Sequence, residues 1–245
     1  MIEAGRHTKS IANVDLPRAP HTRRTSRVRL PILAAAVSAA LLVAAITAVV
    51  ILHPYLSLDA SVERDVQGVD FGPLTLLFPF FSWVGGPGGT YMEAAVLLLV
   101  LLLNRRAWLF AIAVLAGGLW YEFGVHLVNR PRPTAEQILR VTEHPGASSF
   151  PSGHMIFVPL SAAALMLCLG DKYLPRWAKP VGWVLVAGIV ITEGVDRLYV
   201  GAHWPTDVLA GVLISTAWVA LLISVRWVFD RSSAEKESRG AASSR

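Results

Sequence analysis

Apolar residues in this chain are gathered into long blocks separated by short polar stretches. Pro31 to Leu52 is the first block, long enough to cross a hydrocarbon core of about 30 Å at 1.5 Å per residue. Further blocks run from about Gly89 to Leu103, Trp108 to Val128, Gly153 to Gly170, Val181 to about Val200, and Trp204 to about Val225. The pattern predicts six membrane-crossing helices, with the block ending at Leu103 short for a span. A cleaved signal peptide is the other reading of the first block. Its apolar core would be shorter and would follow a much shorter basic stretch, so an uncleaved anchor is favoured. Tyr55 to Gly89 mixes Asp59, Glu63, Arg64, Asp65 and Asp70 with the apolar run Leu74 to Val84. It predicts an amphipathic, surface-lying piece followed by a glycine-rich loop.

Composition agrees with the block pattern. Hydrophobic residues make up 54% and charged residues 16%, with mean hydropathy +0.52, whereas soluble domains carry about 25% charge. The class is an all-α membrane protein. Residues 1–30 read as a disordered, solvated basic tail, 31–229 as the six-span domain and 230–245 as a polar tail. The net charge of +5 is scattered between apolar blocks, so it does not mark a nucleic-acid partner. The single cysteine, Cys168, lies in an apolar run and reads as a small buried residue. No sequence signal sets the oligomeric state.

Charge also orients the chain. Six spans place both termini on one side, and that side collects 17 Lys and Arg against 5 on the other. Both termini are therefore expected in the cytoplasm of a multi-pass plasma-membrane protein. The sparse outer face carries Arg64, Arg130, Arg132, Arg140 and Arg197. Three of those arginines fall in motifs that bear chemistry. Asn129-Arg130-Pro131-Arg132-Pro133 ends the third span. Phe150-Pro151-Ser152-Gly153-His154 precedes the fourth. Asp196-Arg197 ends the fifth, with His203 and Asp207 opening the sixth. Pieces far apart in sequence thus emerge on one face, where charge at membrane depth needs a reason.

Each piece has its own chemistry. His203 and Asp207 are four apart, so a helix starting near Pro205 lets the carboxylate bond one ring nitrogen and free the other as nucleophile or base. A helix-capping pair is an equal reading of those two residues alone, and a metal pair a lesser one without a third ligand. Ser152 suits an N-cap, and Gly153 lets an anion approach free backbone N–H groups. Arg197 offers a bidentate fork to phosphate. Glu193, four residues before Arg197, is expected to orient it. Glu122 and His126 read as a structural pair more readily than as a proton relay.

The order Arg-Pro, Pro-Ser-Gly-His, Arg-x5-His-x3-Asp resembles the type-2 phosphatidic acid phosphatase superfamily over roughly Val62 to Val228, in its membrane lipid phosphatase branch. The second family motif is intact as Pro151 to His154. The third is intact from Arg197 through His203 to Asp207, with Asp196 where the family has serine. The first keeps Arg132-Pro133, with Val125 where the family has lysine. The resemblance implies a hydrolase that uses no metal and no cofactor. His203 would form a phosphohistidine, Asp207 would orient it, and His154 would protonate the leaving group and then activate water. Arg132, Ser152, Gly153 and Arg197 would hold the phosphoryl oxygens, with Arg130 and Asp196 as auxiliaries. Two expectations follow from these departures: Asp196 pairs with Arg130 or Arg132, or Arg130 or His126 takes over part of the missing lysine's work. The implied substrate is a lipid phosphate or diphosphate whose tail stays in the bilayer, first of all undecaprenyl or another polyprenyl diphosphate. Phosphatidylglycerophosphate or phosphatidate comes second. A catalytically inactive lipid-binding or transport protein is the reading from another class.

Overall fold

A computed structural model describes residues 30–143 and 146–243, with side chains through Ser224. The basic tail expected over residues 1–30 lies outside the described residues apart from Leu30. Among the described residues every regular element is helical. The order is α1 (Leu30–Leu52), α2 (Ser57–Gln67), α3 (Phe78–Gly85), α4 (Gly89–Leu103), α5 (Trp108–Leu115), α6 (Leu119–Val128), α7 (His154–Leu165), α8 (Asp171–Tyr173), α9 (Ala178–Tyr199) and α10 (Pro205–Ser243). Among the described residues, five stretches are long and apolar enough to cross a membrane: Leu30–Leu52, Arg105–Val128, His154–Tyr173, Ala178–Tyr199 and Pro205–Ser224. The sixth is broken. Gly72–Gly85 meets Gly89–Leu103 at a bend of 75°, where Gly86-Pro87-Gly88 interrupts the helix. The short block ending at Leu103 is thus half of a bent span. The helix of the last span continues to Ser243, past the polar boundary expected near residue 230.

The fourth span is the axis of the bundle. Some 61% of its apolar window is buried inside the protein, against 11–28% for the four other long spans. Ile156, Leu160, Ala163 and Ala164 pack there with Val96 of α4 and Val114 of α5. The other spans turn Leu, Val and Ile outward, as lipid-facing helices do. Small residues set the helix spacing. A side chain at Gly117 would lie 2.5 Å from Trp218, and one at Gly211 would lie 2.7 Å from Met155 Cβ. Cys168 is 1% exposed and packs with Val100, Ala107 and Ala111.

The two ends of the bundle differ. At one end the α4–α5 turn meets α8, where Lys172 Nζ and Tyr173 Oη each donate to the Leu103 carbonyl at 2.6 Å. Arg105, Arg106, Lys172, Arg176 and Lys179 gather there. At the other end, α2, α3 and the loop residues 129–143 and 146–153 cover the start of α7, the end of α9 and the start of α10. That end carries all three sequence motifs.

Candidate active site

The loop after α6 builds the floor of this end. Asn129 takes a left-handed turn (φ 43°) that ends α6 and sends Arg130 into the protein. Arg130 is 1% exposed. Its guanidinium donates to the Pro54 carbonyl (2.9 Å), Asp59 (2.6 Å), Thr206 Oγ1 (2.7 Å) and Asp207 Oδ1 (2.6 Å). Asp59 also accepts from the backbone N–H (3.1 Å) and hydroxyl (2.7 Å) of Thr206. Arg130 therefore ties α2 and the end of α1 to the first turn of α10. Asp196 is not among these partners.

Arg132 turns to the site. Its guanidinium donates to the carbonyls of Gly146 (2.8 Å), Ser148 (2.6 Å) and Ala202 (2.5 Å). Its Nη1 stands 3.5 Å from Nε2 of His203. His203, 2% exposed, donates Nδ1–H to the Ser149 carbonyl at 2.7 Å. A carbonyl only accepts, so the proton sits on Nδ1 and the lone pair on Nε2. Burial first, and then the nearby Arg132 cation, hold this histidine well below its ordinary pKa. His203 is therefore neutral, with a nucleophilic nitrogen facing a guanidinium.

The bond expected between Asp207 and His203 is absent. Asp207 spends one oxygen on Arg130 and the other on the backbone N–H of Trp204 at 2.9 Å. The physical reason is where α10 begins. His203 precedes the helix, so four-residue helical spacing does not bring the two side chains together. The Ser149 carbonyl orients the ring instead. Ser152 also departs from its expected role. Its hydroxyl is buried without a partner and does not cap α7, while its N–H donates to the Asp207 carbonyl (3.2 Å). An unpaired hydroxyl beside the first-turn N–H groups of α7 leaves an anion several donors. Gly153 packs on Tyr121, 3.0 Å from where a side chain would stand.

His154 and Arg197 complete the site. The imidazole rings of His154 and His203 stand 6.3 Å apart, and His154 donates Nε2–H to the Ser82 carbonyl at 3.1 Å. Arg197 is fully buried and faces three carboxylates: Asp196, Glu143 (3.0 Å) and Glu193 (3.7 Å). Asp196 thus pairs with Arg197 rather than with Arg130 or Arg132. Glu193 lies beside Arg197 as its spacing implied. Val125 is half-buried in α6, and exposed His126 bonds the carbonyl of Glu122 one turn back (2.7 Å), so His126 does not replace the absent lysine. Among the described residues no group of three or more His, Cys, Asp or Glu is placed to hold a metal ion.

Four residues at this end escaped the motifs: Asp59, Glu63, Ser82 and Glu143. Asp59, Glu63 and Gln67 form the buried stripe of α2 at four-residue spacing. Gln67 Nε2 donates to the carbonyls of Arg140 (2.8 Å) and Leu198 (2.9 Å), clamping the loop to the end of α9. The signal that could have found Asp59 and Glu63 is that stripe within a mixed segment. Glu63 is fully buried with both carboxyl oxygens unpartnered, and burial, then Asp207 and Asp59, raise its pKa to about 9. A carboxyl raised in this way takes up a proton on folding. Its contribution to stability is intact below about 4.5 and drains away as pH rises towards about 9, by about 1.4 kcal/mol per unit. Glu63→Gln is expected to raise the melting temperature in detergent at pH 8 and to leave it little changed at pH 4.5. An equal shift at both values would deny the carboxyl its raised pKa.

Helices long and apolar enough to cross a membrane, with two histidines and two arginines gathered at one end, define a membrane protein. The chain belongs to the PAP2 superfamily, which matches residues 106–231, just over half of it. It is 26% identical over 163 residues to the undecaprenyl-diphosphatase of Sulfolobus acidocaldarius, covering 63% of this chain and 72% of that one. It is 30% identical over 114 residues to undecaprenyl-diphosphatase BcrC of Bacillus subtilis, covering 46% of this chain and 54% of the relative. The crystal structure of a transmembrane PAP2-type phosphatidylglycerolphosphate phosphatase from Bacillus subtilis shares the fold. The TM-score is 0.61 at 21% identity, over 80% of this chain and 96% of that one.

Proposed function

We propose that this protein hydrolyses a lipid diphosphate, polyprenyl diphosphate first of all, through a phosphohistidine at His203. The observation that carries this reading is the state of His203: neutral, with Nδ1 committed to Ser149 and Nε2 beside Arg132. Nε2 attacks phosphorus, and the bond from phosphorus to the leaving oxygen breaks. His154 enters this step as the imidazolium, its Nε2–H held by the Ser82 carbonyl; Nδ1 gives its proton to that oxygen and then takes one from the water that cleaves the phosphohistidine. Arg132, Arg197, the Ser152 hydroxyl and the N–H groups at Gly153 and the start of α7 hold the phosphoryl oxygens as charge builds. Asp207 acts at one remove, fixing the start of α10 just after His203. Two guanidiniums supply the positive charge that a metal would otherwise bring, so the reaction proceeds without a metal ion or other cofactor. The site faces the outside and both termini the cytoplasm, because the basic loops lie at the opposite end.

A lipid tail has a berth. A groove of about 630 Å³ runs between α1, α6 and α10, lined by Ala36, Ala40, Ala44, Phe123, Gly124 and Trp218 among others. It ends at Phe150, next to Ser149 and Pro151 of the site loop. Ala44→Phe is expected to raise KM for a long-chain substrate about tenfold, the worth of roughly two buried methylenes. Turnover of a short-chain, water-soluble phosphate should not change, and an equal loss on both substrates would remove the tail from this groove.

The deciding assay uses purified protein in detergent with polyprenyl diphosphate, polyprenyl phosphate, phosphatidylglycerophosphate and phosphatidate, each with and without chelator. Release from polyprenyl diphosphate that survives the chelator is expected. Preference for phosphatidylglycerophosphate, the substrate named for the structural relative, would select the second reading. Strong inhibition by chelator would sink the metal-free mechanism. No release from any lipid would leave a lipid-binding or transport protein.

A further inference from the structure

We propose that Ser82 of α3 is a positioning residue serving both halves of the site: its hydroxyl sets the phosphate-holding Arg197, and its backbone sets His154. The inference rests on the phosphatase reading above. Ser82 precedes the segment that matches the family, 106–231, and no motif points to it.

The hydroxyl sits between two charged groups. It accepts from Arg197 Nη2 and donates to Asp196 Oδ2 at 3.2 Å. Arg197 is otherwise drawn to carboxylates on several sides, through Asp196, Glu193 and Glu143. A guanidinium saturated by carboxylates is a poor phosphate ligand. Asp196 Oδ2 takes Nε and Nη2 of Arg197 directly, and the Ser82 hydroxyl, bonded to both members of that pair, fixes the plane of the fork. Asp196 Oδ1 has no hydrogen-bond partner, so loss of the hydroxyl lets the carboxylate rotate on Arg197 and bring that second oxygen onto the guanidinium.

The backbone of the same helix holds the acid. The Ser82 carbonyl accepts Nε2–H of His154 at 3.1 Å, which leaves Nδ1 as the nitrogen that gives up and regains the catalytic proton. The end of α3 then presses on the imidazole. A side chain at Gly85 would lie 2.3 Å from His154 Cδ2, and one at Gly86 would lie 3.3 Å from Nε2. Glycine at 85 is required by this contact.

The two functions separate by mutation. Ser82→Ala removes the hydroxyl and keeps the carbonyl. Orthovanadate, which mimics the five-coordinate phosphoryl group, should then bind at least tenfold more weakly, the usual cost of losing a hydrogen bond to a charged group. KM should rise and the pH profile of kcat should keep its shape. Ser82→Thr should restore vanadate affinity. Gly85→Ala displaces the imidazole without touching the hydroxyl. It should lower kcat about tenfold or more and move the limb of the pH profile that reports His154, with vanadate affinity within threefold of wild type. The charged and titratable groups around His154 are Arg132, Arg197 and His203, and neither variant removes one of them. Wild-type vanadate affinity in Ser82→Ala, or loss of affinity and turnover together in both variants, would overturn the proposal. A wild-type protein that releases no phosphate from any lipid would instead overturn the phosphatase reading, which the same assay distinguishes.

Discussion

His203→Ala is expected to lower phosphate release by about four orders of magnitude or more, the scale on which deletion of a covalent nucleophile acts. The fold should survive. The side chain makes one good hydrogen bond, to the Ser149 carbonyl, worth about 1 kcal/mol net. Melting in detergent should therefore shift by only a few degrees. Vanadate should still bind, because Arg132 and Arg197 remain. A phosphorylated protein trapped by acid quench from labelled lipid should appear in wild type and vanish in the variant. Trapped phosphate that persists in His203→Ala would assign the nucleophile elsewhere.

Arg130→Ala is expected to act on the fold and not on the chemistry alone. It strands Asp59 and Asp207, both at most 1% exposed, without their shared cation. Breaking a buried pair by removing one partner costs about 3–5 kcal/mol, a large share of a typical stability. Arg130→Lys should recover only part of the loss. One ammonium does not reach the acceptors on Pro54, Asp59, Thr206 and Asp207 that the planar fork spans. The checks are the melting temperature in detergent and the fraction recovered in the membrane. An unchanged melting temperature in Arg130→Ala would show that the cluster does not hold α2 to α10.

The spans were readable because hydrocarbon demands long apolar stretches, and five of them stand where the blocks place them. The broken span was half hidden. Its first part, 72–85, is apolar but carries Pro79 and ends in glycines, so it reads as surface or loop. The motif loops were readable for another reason: His154 closes Pro-Ser-Gly-His and His203 follows Arg197 by six residues, short fixed spacings in the sequence. Partners were not readable. Spacing alone pairs His203 with Asp207, yet a carbonyl fifty-four positions upstream orients the ring and an arginine seventy-seven upstream takes the carboxylate. Backbone carbonyls leave no trace in residue identity, and contacts from α2 and α3 depend on helices of 11 and 8 residues in a mixed segment. Asp196 was visible as a departure, but its sense as a partner of Arg197 needed Ser82 in place.

Asp207 caps α10 through Trp204 and grips Arg130 through its other oxygen. Loss-of-function alleles gathered in a genetic screen should therefore fall into two populations by protein abundance. Changes at His203 should leave normal amounts of inert protein in the membrane, and changes at Asp207, Arg130 or Asp59 should leave little protein of any kind. A cell complemented poorly by an Asp207 allele is thus reporting quality control, and only activity per surviving molecule speaks to the chemistry.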